Sequence, residues 1–155
     1  VTLSRDSLFA FLVKHDHGVL ATVSPAGEPE AALVGVSVTI DDAGELELFF
    51  DTLDSTRKCE NLRARPSIAF VIGWGDKQTA QLEGVADEPR GEELARLKRA
   101  YFRLFPDGPT REAWPGITYF RVRVRWARYS DFRGADAIVE ELRLPARAAS
   151  SPSAS

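Results

Sequence analysis

One cysteine, Cys59, stands in 155 residues, and methionine is absent altogether. A lone thiol excludes an internal disulfide framework and any multi-cysteine metal site. Histidine is scarce too. His15 and His17 are the only two; they lie two apart with no third ligand in view, whereas a catalytic zinc takes three protein ligands. Basic charge is also lacking: 20 Lys and Arg against 23 Asp and Glu give a formal net charge of −3. A nucleic-acid role therefore requires a strong local patch. The first apolar run, Leu8 to Val13, ends at Lys14 after six residues, far short of the ~18 that span a bilayer. Neither a basic leader nor a small-residue cleavage pattern accompanies it, so the expectation is a cytoplasmic protein without a membrane anchor.

What is present is a chain with 44% hydrophobic residues, long enough to bury a core of its own. Ser4 to Lys14 reads as a short amphipathic helix that Ser4 can cap. Gly18 to Val23 is a strand closed by the turn residues Ser24-Pro25-Ala26-Gly27. Glu30 to Ile40 follows as one strand with Val34, Val36, Val38 and Ile40 at period 2, and then Leu46, Leu48 and Phe50 alternate with Glu45, Glu47 and Phe49. These three strands are expected to form an antiparallel meander. Ser55 to Arg63 reads as a short helix ended before Pro66, Ser67 to Ile72 and Gln78 to Ala86 as strands. Pro89 to Phe105 carries Leu94, Leu97, Tyr101 and Leu104 at helical spacing. Tyr119 to Trp126 is a strict period-2 strand, with Phe120, Val122, Val124 and Trp126 on one face and Arg121, Arg123 and Arg125 on the other. A weaker strand lies near Ile138 to Leu142. Six or seven strands joined by hairpins, with three helices, favour a mainly β, closed or nearly closed antiparallel barrel. A single domain is expected over 1–144, and the Ala-, Ser- and Pro-rich remainder, 145–155, is expected to be a disordered tail.

The most informative segment is Asp51-Thr52-Leu53-Asp54-Ser55-Thr56-Arg57-Lys58, which joins a strand to a helix. Unpaired amides make a helix start positive, yet Arg57 and Lys58 sit in the expected first turn. A phosphate answered by these cations, by the hydroxyls of Thr52, Ser55 and Thr56 and by the backbone N–H groups satisfies all of them together. The plainer alternative is a helix capped by Asp54 or Ser55 with both cations in water.

Gly18-Val19-Leu20-Ala21-Thr22-Val23, Pro25-Ala26-Gly27-Glu28-Pro29, Ser55-Thr56-Arg57-Lys58-Cys59-Glu60-Asn61-Leu62 with Pro66, and Thr79-Ala80-Gln81-Leu82-Glu83-Gly84-Val85-Ala86 occur in that order. Together with Trp126-Ala127-Arg128-Tyr129-Ser130-Asp131-Phe132, they resemble the flavin-binding split barrels related to pyridoxamine 5'-phosphate oxidase, over roughly Leu8 to Phe132. The resemblance implies a six- to seven-stranded antiparallel split β-barrel with flanking helices. It also implies a homodimer holding FMN in clefts at the interface, and flavin-mediated hydride transfer at N5 on a small substrate. Carried over by position, Arg57 and Lys58 are the phosphate cations, Ser55 and Thr56 the adjoining donors, and Thr52 ends the strand leading to them. Backbone at Leu33 and Val34 lies against the isoalloxazine, and Gln81 contacts the ring or the partner. Trp126 packs near the flavin edge from the other chain or serves as a core aromatic. In the vitamin B6 oxidases the second strand carries basic residues; here Glu30-Ala31-Ala32-Leu33-Val34-Gly35-Val36-Ser37 has none, which points away from a phosphorylated pyridoxamine. Deazaflavin is the alternative cofactor, and similar barrels also hold haem or nothing.

Other groups point elsewhere. Cys59 is either a helix-start thiol of lowered pKa or a small packed residue. Gly73-Trp74-Gly75 is followed by a strand, so it is not a dinucleotide fingerprint. Arg121, Arg123 and Arg125 with Tyr119, Tyr129 and Trp74 could form a platform for single-stranded nucleic acid, but the acidic total and an ordinary polar strand face argue against one.

Overall fold

A computed structural model describes residues 2–147. Eight strands form one antiparallel sheet that curls into a split barrel. The elements are α1 (Arg5–Leu12), β1 (His17–Val23), β2 (Pro29–Gly35), β3 (Ser37–Ile40), β4 (Leu46–Leu53), α2 (Arg57–Ala64), β5 (Ser67–Ile72), β6 (Gln78–Asp87), α3 (Gly91–Leu104), α4 (Gly108–Glu112), β7 (Ile117–Asp131) and β8 (Ile138–Arg143). Spatial order is β2-β1-β5-β6-β7-β4-β3, with β8 also on β7. Among the described residues no helix is long and apolar enough to cross a membrane.

Local chemistry sets the helix starts. Ser4 caps α1 in a reciprocal capping box with Ser7, the arrangement that satisfies two orphan backbone donors at once. The core is filled by alternate residues of the strands. Phe50 lies between Phe70 and Phe120, with ring centroids 6.0 and 5.8 Å apart, and burial of each such ring stabilises the fold by about 1.5–3 kcal/mol. A second cluster of Phe49, Leu97, Tyr101 and Tyr119 lies where α3 covers the other face of β4. Phe49 and Phe50 are therefore both buried, although they alternate along the strand.

Three features differ from the expectation. The stretch from Glu30 to Ile40 is two strands: the chain breaks at buried Val36, whose N–H donates to the Asp16 carbonyl. Gly35 beside it leaves room for the Phe105 ring, since a Cβ there would lie 2.8 Å from it. Both expected antiparallel pairings form, β1 with β2 and β3 with β4, but the break places β2 and β3 at opposite ends of the strand order, and β4 pairs also with β7. Second, the Pro106–Pro109 stretch does not only end α3 but opens α4, with Pro in its first turn, where the missing N–H costs nothing. Third, β7 runs to Asp131 and carries a bulge opposite Glu83 and Gly84. Of the expected tail, Arg147 donates its N–H to Glu45; residues 148–155 lie outside the described residues.

Candidate functional site

Thr56 occupies the N-cap of α2, yet its side chain makes no capping bond. Its hydroxyl donates to the Leu53 carbonyl and lies 3.0 Å from the hydroxyl of buried Thr52. The first-turn N–H groups of α2 therefore have no side-chain acceptor, and the positive end of the helix is open. Arg57 and Lys58 follow, and Ser55 is exposed beside them. Lys58 forms no ion pair among the described residues, and burial pushes its ammonium below the ordinary lysine range. Arg57 bonds to the Glu30 carboxylate at 2.5 Å. Thr52, Ser55, Thr56, Arg57 and Lys58 are thus brought together as expected.

Two further residues belong to this cluster. Asn61 Nδ2 donates to Glu30 at 2.7 Å and to Thr22 Oγ1 at 3.0 Å, while its Oδ1 is buried without a partner among the described residues. Asn61 stands in the helix segment that carries the resemblance, and that placement is the signal the sequence offers for it. Nothing local marks Glu30 as its acceptor, because the two meet across 31 residues. Nearby, Asp51 accepts from Tyr101 at 3.1 Å and from Arg111 at 2.9 Å, which ties the end of β4 to α3 and α4.

The remaining site residues divide between faces. Leu33, Val19, Val71, Gln81 and Arg128 are successive cross-strand partners, forming one row across the outer face of the sheet. Ala31, Ala21, Ala69, Glu83 and Trp126 form the next row. Leu33, Val71 and Val85 are exposed here, and a cavity of about 500 Å³ lies against Ala69, Val85 and Trp126. Val34 points the other way and is buried in the core, so only its backbone is open to a ligand. Helix α2 is on the inner side, since Asn61 bonds to the inward-facing Thr22. Within one chain, then, Gln81 and Trp126 are not gathered at the start of α2.

Several expectations are corrected. Trp126 does not share the inner face with Phe120, Val122 and Val124. The bulge shifts the alternation by one, so Ala127 enters the core and Trp126 turns outward, with the Arg128 guanidinium 5.7 Å from its ring. The arginine face is not a free basic surface. Arg121 is buried against Glu47, Asp87 and Glu93, while Arg123 and Arg125 both reach Glu45. Arg96 adds a two-pronged bond to fully buried Glu47. Cys59 is buried, and desolvation raises its thiol pKa, so it is a packing residue. His17 pairs with Asp16, His15 lies tilted against Phe11 with ring centroids 4.8 Å apart, and no metal-binding group of side chains occurs among the described residues.

A family model described as pyridoxamine 5'-phosphate oxidase matches residues 4–131. A pyridoxine/pyridoxamine 5'-phosphate oxidase of Rubrobacter xylanophilus is 31% identical over 111 residues, covering 71% of this chain and 48% of that protein. The chain spans about half the length of that relative. Among solved structures, a heme binding protein from Mycobacterium smegmatis superposes with a TM-score of 0.73 at 21% identity, covering 92% of this chain and 59% of that one. A pyridoxamine 5'-phosphate oxidase-related, FMN binding protein from Nostoc punctiforme gives 0.64 at 13% identity, with 92% and 93% covered. These two likenesses concern the fold, whereas the family match covers most of the sequence. The chain belongs to the pyridoxamine 5'-phosphate oxidase family.

Proposed function

We propose that this chain binds FMN as a homodimer and serves as a flavin-dependent oxidoreductase acting on a small molecule other than a phosphorylated pyridoxamine. The open start of α2, with Thr56 turned away from its own helix and two cations beside it, carries the reading. A phosphate supplies the acceptor that the first-turn N–H groups lack and the counter-charge for Lys58. The bound flavin supplies the redox chemistry of its ring. The chain's own residues bind and orient it: Arg57, Lys58, Ser55 and the first-turn amides take the phosphate, with Thr52 fixing Thr56 through their paired hydroxyls.

Two chains are needed for the remainder. Leu33, Gln81 and Trp126 lie on the outer face of the sheet and α2 on the inner side, so one ligand meets both sets only where a second copy presents its outer face. The exposed Leu33, Val71 and Val85 supply the apolar surface for that contact. Glu30 puts a carboxylate where the oxidases have basic residues, and this disfavours a second phosphate on the substrate. FMN is favoured over deazaflavin, because a polyglutamyl tail needs a long basic groove and Arg121, Arg123 and Arg125 are already paired.

An absorption spectrum of the purified protein, FMN fluorescence titration and sedimentation analysis test this. Flavin bands or saturable quenching on a dimer are expected, with quenching lost in the double substitution Arg57→Ala and Lys58→Ala. A Soret band, or quenching unchanged in that variant, overturns the assignment.

A further inference from the structure

A second basic site lies away from α2, in a cavity of about 380 Å³ formed by the start of α1, the β3–β4 turn, β7 and the segment after β8. Four guanidinium groups line it, those of Arg5, Arg125, Arg143 and Arg147, against the carboxylates of Asp6 and Glu45. Asp6 is engaged by Arg5. Glu45 is nearly buried and already engaged: it accepts from Arg125 at 3.2 Å and from the Arg147 N–H at 2.8 Å, and forms an ion pair with Arg123 at 3.0 Å. Neither Arg143 nor Arg147 pairs with a carboxylate among the described residues.

Two of the guanidiniums, those of Arg5 and Arg147, converge beside Gly44. Arg5 donates to the Gly44 carbonyl at 2.9 Å, and a methyl group built on Gly44 would lie 2.5 Å from Arg5 Nη1 and 3.7 Å from Arg147 Nη2. Arg5 is neutralised by Asp6, whereas Arg147 beside it has no carboxylate of its own among the described residues, and planar guanidiniums match oxyanions in two-pronged fashion. The floor, Leu46, Val124 and Leu144, is apolar, which lowers the local dielectric and strengthens such contacts.

We infer that this cavity is a binding site for a small oxyanion of charge −2 or more, of the phosphate-ester or polycarboxylate class, held chiefly by Arg143 and Arg147 with Arg5 and Arg125. It is separate from the α2 site and does not depend on flavin binding there.

Calorimetric titration of the full chain with pyrophosphate and with citrate, with one equivalent of FMN per chain at low salt, tests it. Saturable binding of at least one anion is expected; the anion that binds identifies the class. Arg147→Gln alone is expected to weaken that binding without changing the melting temperature or FMN affinity, and the double substitution Arg143→Gln and Arg147→Gln to weaken it at least tenfold. Arg57→Ala should leave it unaltered. No saturable binding of either anion, equal affinity in the double variant, or loss of binding in Arg57→Ala overturns the inference.

Discussion

Glu30→Gln should tighten FMN binding. The Glu30 carboxylate holds Arg57 at 2.5 Å and accepts from Asn61 Nδ2 at 2.7 Å. A ligand phosphate must share Arg57 with that carboxylate and tolerate its charge. Arg57 is 78% exposed, so the pair itself is worth only about 0.2–1 kcal/mol. Two unit charges 4 Å apart in water repel by about 1 kcal/mol, which bounds the second contribution. Their sum, on the order of 1–2 kcal/mol, corresponds to a gain of roughly 5- to 30-fold in affinity. Glutamine retains an oxygen for Asn61, so the fold should be unaffected. Fluorescence titration of wild type and variant at low salt, repeated at 0.5 M salt, reads the effect; the gain should shrink at high salt, since the Debye length falls to a few ångströms. Unchanged or weaker FMN binding in a variant that melts normally would refute the placement of the phosphate beside Arg57.

Glu47→Ala should destabilise the protein by about 1.5–3 kcal/mol, because it removes the buried carboxylate that Arg96 holds with both prongs and leaves Arg96 and Arg121 only Glu93 and Asp87; thermal melting should fall by several degrees. Gly84→Ala should also destabilise, since its Cβ would meet the Arg123 carbonyl at 2.3 Å; a melting temperature equal to wild type would mean the bulge shifts freely. All three tyrosines, Tyr101, Tyr119 and Tyr129, have pKa values raised first by desolvation, that of Tyr119 to about 12. A raised phenol pKa means the folded state keeps protons that the unfolded chain releases, so this contribution to stability is present below about pH 10 and lost as pH rises through about 12. Absorbance at 295 nm should show phenolate near pH 10 in urea but not in the native protein.

The strands and the start of α2 were legible because their signals are local. Alternation in Leu46–Phe50 and Phe120–Val124 follows from the period of the pleat, and a pair of cations after Thr56 stands out against the preference of helix starts for acid. The outward turn of Trp126 was not legible. It is decided by the pairing of β7 with β6, where Gly84 lets the Arg123 carbonyl come close. Arg121 read as a solvent-face residue because strand periodicity places it opposite Phe120; α3 then lays Glu93 over it and β6 presents Asp87. The same holds for Glu30, whose role depends on a helix that begins at Arg57.

The strands at the two ends of the main strand order, β2 and β3, are consecutive pieces of one segment separated only by Val36. An edge strand displays unpaired backbone groups and is a template for pairing between molecules. Here a single hinge residue, held by the Asp16 carbonyl and by the packing of Phe105 on Gly35, fixes where both edges lie. A change at the Gly35–Val36 corner would therefore shift the open sides of two strands at once, one at each end of the sheet's strand order.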